Sequence, residues 1–114
     1  MNNPIDSAAT LERINQDKDL LAELLTLFIQ ELPIWHQKLN SVREPVVFAQ
    51  HIHQIKGICQ YLTMPKLALL IGEAEQVLKQ PNTNVTILVE YSQKISNELK
   101  CIAQYYHEHI HPPQ

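Results

Sequence analysis

The sequence predicts an all-α fold: an up-down antiparallel four-helix bundle with a short additional N-terminal helix. Three observations lead there. Apolar residues recur at steps of three and four along most of the chain, the pattern of amphipathic helices. The composition is rich in Leu, Ile, Gln, Glu and Lys, with only two glycines in 114 residues, which favours helix over strand. Prolines and short polar clusters separate the periodic stretches, and short connections make successive helices antiparallel neighbours. A chain of this length suits one domain, so positions 1–114 are read as a single unit.

The elements follow in order. A short helix over about 6–16 starts at Asp6 or Ser7, either of which can cap it. The second helix covers about 19–41, with Leu21, Leu24, Leu25, Phe28, Ile29 and Leu32 in helical register. Ile34, Trp35 and Leu39 carry its apolar stripe past Pro33, which is expected to kink the helix rather than end it. Pro45 opens a third helix over 45–61 and Pro65 a fourth over 65–80, at first-turn positions where a missing N–H is harmless. The fourth carries Leu67, Leu70, Ile71, Ala74 and Leu78. A turn at 80–84 leads to the fifth helix, over about 85–108.

Charge and composition exclude several functions. A formal net charge of -3 does not suit binding to a phosphate backbone, which needs a basic face. No apolar run reaches the roughly 18–20 residues of a membrane span, and there is no secretion signal at the start. Cys59 and Cys101 lie within helical patterns, away from zinc-site or redox spacing, and read as reduced packing residues. These features place the domain in the cytoplasm.

Chemistry concentrates in Gln50-His51-Ile52-His53-Gln54-Ile55-Lys56-Gly57-Ile58-Cys59. At about 100° per residue, Phe48, Ile52, Ile55, Cys59 and Leu62 share the arc that faces the core. His53 falls opposite. Lys56 and Gly57 stack beside it at the next turn, Ala49 one turn before and Gln60 one turn further on. An exposed imidazole is a good nucleophile toward phosphorus near neutral pH, since an unperturbed ring titrates at about 6.5. Lys56 can partly neutralise an added phosphoryl group. Gly57 removes a side chain where a partner's reacting group must approach, although glycine inside a helix costs about 1 kcal/mol relative to alanine.

The string His53-Gln54-Ile55-Lys56-Gly57 matches the H-x-(L/I)-K-G signature, and here the chain resembles histidine-containing phosphotransfer (HPt) domains. Leu67, Leu70 and Glu75 follow at the family's spacing. Upstream, Asp19 to Leu25 with Phe28 and Pro33 looks like the family's long second helix, so the resemblance spans nearly the whole chain. The nearest likeness is to the C-terminal HPt domains of BarA-type hybrid sensor histidine kinases, where a cysteine and a tyrosine stand as Cys59 and Tyr61 do. Ile58 and Thr63 depart from it, replacing a small residue and a turn glycine.

The resemblance implies that His53 accepts a phosphoryl group from one receiver-domain aspartate and passes it to another. The chain would then be a monomeric phosphocarrier without turnover of its own, and its partners would be receiver domains of response regulators or of a hybrid kinase. The receiver supplies the acidic pocket and Mg²⁺, so no metal site and no cofactor are expected in this chain. The resemblance also implies a place for Glu75 near the histidine, where it would orient the ring. The alternative is a non-catalytic helical adaptor that binds receivers without exchanging phosphate.

Other histidines are weighed against His53. His51 lies about 160° away on the helix, inside the apolar arc, and reads as packed. His36 reads as a surface residue of the bundle. His107, His109 and His111 alternate, and a spacing of two keeps them off one helical face, which weakens a metal site there.

Overall fold

The computed structural model describes residues 3–59 and 61–110, and every regular element among them is helical. Helix α1 spans Ser7–Arg13, α2 Lys18–Asn40, α3 Pro45–Cys59, α4 Pro65–Leu78 and α5 Val85–Tyr105; a π-helical turn, Tyr106–Ile110, extends α5. Local chemistry sets the starts. Asp6 caps α1, its Oδ1 accepting from the Ala9 N–H at 3.0 Å. Asp17 does the same for α2 through Leu20 at 3.0 Å, and Asn84 for α5 through Ile87 at 3.1 Å. Each cap satisfies an N–H that the helix leaves without a partner. Helices α3 and α4 begin on Pro45 and Pro65.

Helix α1 stops at Arg13, short of the expected position 16. Asn15 and Gln16 take left-handed backbone, φ 57° and 61°. The Gln16 N–H then reaches back to the Leu11 carbonyl at 2.7 Å, the closing bond of a Schellman turn. Neither residue is a glycine, so the usual sequence signal for this ending is missing. Helix α2 runs through Pro33 and buries Leu21, Leu25, Phe28, Leu32, Trp35 and Leu39. Ile34 was expected in that stripe but is 54% exposed. It lies about 100° round the helix from Trp35, outside the arc that six buried residues define.

The buried apolar residues form one cluster drawn from α2 to α5, their connections and Ile5, and Leu11 of α1 packs against it half-buried. Helix α3 packs on α4, α4 on α5 and α5 on α2; α2 and α5 also touch α3, and α1 lies on α2. A polar seam ties α1 to the α3–α4 turn. The Asp6 N–H donates to the Thr63 carbonyl at 2.8 Å, and the Thr63 N–H donates to Thr10 Oγ1 at 2.9 Å. The buried Thr10 hydroxyl donates onward to the Asp6 carbonyl at 2.9 Å. Thr63 has no positive φ, so this turn does not require the glycine of the resembled family.

The cysteines separate. Cys59 is half-buried, and burial pushes its thiol up to about 11, which suits a packing role. Cys101 is exposed, against the expectation of a packing residue, because it lies on the outer side of α5 while Leu99 and Ile102 take the core positions.

Candidate functional site

Helix α3 is the element that presents the site. Phe48, Ile52 and Ile55 are buried at 1% exposure each and clamp one face of the helix to the core. The opposite face must then point outward. His53, Lys56 and Ala49 are exposed, and Gly57 is partly so. His51 is half-buried, and burial followed by the Lys38 ammonium moves its imidazole below the usual histidine range. The rotation expected from 100° per residue therefore separates the two rings of this helix. Gln60 lies outside the described residues.

The two flanks of His53 differ. Toward α4, Lys56 Nζ meets both carboxylate oxygens of Glu75 at 3.2 Å. The side chains of this pair are 49% and 35% exposed, so it contributes only about 0–1 kcal/mol to stability. Among the described residues Glu75 makes no hydrogen bond to His53; its carboxylate goes to the lysine instead of the ring. Toward α2 the surface is apolar. Leu24, Leu27, Phe28, Ile58, Tyr61 and Leu62, with Glu31, line a recess of about 170 Å³. Leu27 and Tyr61 show 51% and 63% of their surface to solvent. Ile58, a departure from the resembled family, is part of this recess.

Gly57 has no structural reason to be glycine. A Cβ built on it meets nothing within 4 Å, and its φ is not positive. The same holds for Gly72 in α4, three residues before Glu75. Both glycines of the chain thus sit inside helices, one next to each partner of the Lys56–Glu75 pair. Gly72 escaped the sequence reading. Its signal was available, since a mid-helix glycine without a turn breaks a local rule.

The remaining histidines lie elsewhere. His36 was read as a surface residue but is half-buried, with Nδ1 and Ser96 Oγ 2.6 Å apart, joining α2 to α5. Burial and then Lys100 move it below the ordinary range. His107 and His109 are exposed, their rings against Tyr106 at 5.2 Å and Tyr105 at 4.7 Å. His111 lies outside the described residues. No group of three or more His, Cys, Asp or Glu side chains converges on a metal position among the described residues. No helix among them is long and apolar enough to cross a membrane.

Comparison with known proteins finds no matching family model, no matching curated protein and no matching solved structure.

Proposed function

We propose that the chain is a histidine phosphotransfer domain, in which the four long helices form an up-down antiparallel bundle and His53 relays a phosphoryl group between receiver-domain aspartates. The observation that carries this reading is the exposed face of α3. A solvent-open imidazole stands there with an ammonium group at the next turn and a glycine that neither backbone nor packing requires.

The chemistry follows from those groups. A ring nitrogen of His53 bonds to phosphorus as the acyl-phosphate P–O bond breaks, and the electron pair leaves with the aspartate carboxylate. The transferring group is loose and metaphosphate-like, so alignment and charge dominate the barrier. Mg²⁺, held in the receiver's acidic pocket, supplies charge neutralisation when the two proteins dock. This chain's own residues do the rest: α3 orients the ring, Lys56 offers positive charge, and the surface around Ala49 and Gly57 admits the partner's carboxylate. The apolar recess between α2 and the C-terminal end of α3, with Leu27 and Tyr61 exposed, offers adhesive surface for the receiver. Alone, the domain is half of an active site and turns nothing over.

The test is phosphoryl transfer itself. The protein is incubated with phosphorylated receiver domains, and acid-labile, base-stable label on the chain is followed. His53→Gln is expected to abolish it. Label retained in that variant at the wild-type level rules out His53 as acceptor, and a wild type that takes no label from any receiver supports the adaptor alternative.

A further inference from the structure

We infer that Glu75 is a positioning residue that sets how firmly the site holds a phosphoryl group, by claiming the Lys56 ammonium that the group would otherwise use. This rests on His53 as acceptor. Lys56 lies three residues after His53, one turn along the same exposed face, where side chains are neighbours. Yet its Nζ is held at 3.2 Å from both oxygens of Glu75 on α4. A phosphoryl group on His53 carries up to two negative charges, so it competes with the carboxylate for one cation.

Two consequences follow. The ammonium is never wholly available to the phosphoryl group, and Glu75 adds a like charge nearby. Both raise the free energy of the phosphorylated state. The group is therefore easier to hand on, a useful property in a carrier that must release what it accepts. The ion pair itself adds little to stability, so its main effect is the placing of charge.

The experiment uses potassium phosphoramidate as donor and needs no receiver. A ring nitrogen of His53 bonds to phosphorus, the P–N bond of phosphoramidate breaks, and ammonia leaves with the ring's N–H proton. The ³¹P resonance of the labelled chain, assigned by its loss in His53→Gln, is titrated with pH. A phosphate ester on a side chain has its second ionisation at pH ~6, and the phosphohistidine resonance is followed across that range. Glu75→Gln is expected to lower the midpoint by about 0.5, because the freed ammonium favours the dianion. Lys56→Gln is expected to raise it by about 0.5, because the lone carboxylate disfavours it. The double variant is expected to return close to wild type, because the two opposite charge effects cancel. With a receiver present, Glu75→Gln is expected to retain the phosphoryl group about threefold to fivefold more than wild type at equilibrium.

A merely structural pair would leave the ³¹P midpoint unmoved in all three variants, and that result overturns the inference while leaving His53 as acceptor. A wild type that takes no phosphoramidate label at His53 overturns the acceptor reading, and the inference with it.

Discussion

At Gly57 stability and function are expected to pull in opposite directions. The residue sits inside α3 with ordinary helical backbone, and an added Cβ would touch nothing in the protein. Gly57→Ala is therefore expected to stabilise the fold by about 0.5–1 kcal/mol, since alanine has less backbone freedom to lose. The same methyl occupies the space beside His53 and is expected to slow transfer from a receiver. Urea unfolding and transfer kinetics on one variant check both signs, and a methyl that destabilises the fold would show a packing contact the structure does not have. Gly72→Ala is expected to stabilise in the same sense, for the same reason. The ion pair beside these glycines contributes charge rather than stability.

The short helix α1 depends on a polar seam more than on apolar burial. Its buried residue is Thr10, whose hydroxyl accepts from the Thr63 N–H and donates to the Asp6 carbonyl. Thr10→Val keeps the volume and removes both bonds, leaving the part-buried Thr63 N–H unpaired while the Asp6 carbonyl keeps the Thr10 backbone N–H. It is expected to destabilise by about 1–3 kcal/mol, measured by urea denaturation, and the α3–α4 turn is expected to lose amide-exchange protection at Thr63. A change below about 0.3 kcal/mol would mean that water replaces the hydroxyl at no cost. Helix α2 shows the converse balance. Six core side chains hold it together across Pro33, so packing outweighs the hydrogen bond that proline cannot donate.

Across the whole molecule, the pH dependence of stability involves half-buried histidines and a buried glutamate, not the exposed face of α3. Burial, reinforced by Lys100 and Lys38 respectively, moves His36 and His51 below the ordinary histidine range. The unfolded chain then binds protons before the folded one does, so their contribution is present above the ordinary value of about 6.5 and is lost as pH falls through the folded values. Glu98 acts in the opposite sense. Burial raises it, an effect partly offset by Lys66 at 3.9 Å; its contribution is therefore present in acid and lost as pH rises through the raised value. The urea midpoint is expected to fall between about pH 7 and about pH 5.5, where the histidines titrate. His36→Gln is expected to flatten that fall. An equally steep fall in His36→Gln and wild type would show that the His36 ring is not shifted by the fold.

The helices and the orientation of α3 were legible in the sequence because apolar period and side-chain rotation are local properties. Phe48, Ile52 and Ile55 face inward, so His53 and Lys56 must face outward. Caps at Asp6, Asp17 and Asn84 and the proline starts are equally local. The end of α1 was not legible, because Asn15 and Gln16 adopt left-handed backbone without a glycine to announce it. Nor was the hydrogen bond that draws His36 to Ser96, sixty positions away. The partner of Glu75 belongs to the same class. Periodicity places Lys56 and Glu75 on two separate helices, but which groups meet across α3 and α4 depends on how those helices pack. From the sequence alone, His53 stood beside a free lysine. The tertiary structure decided that the lysine is paired with Glu75, because only the packing of α4 on α3 brings that carboxylate to 3.2 Å.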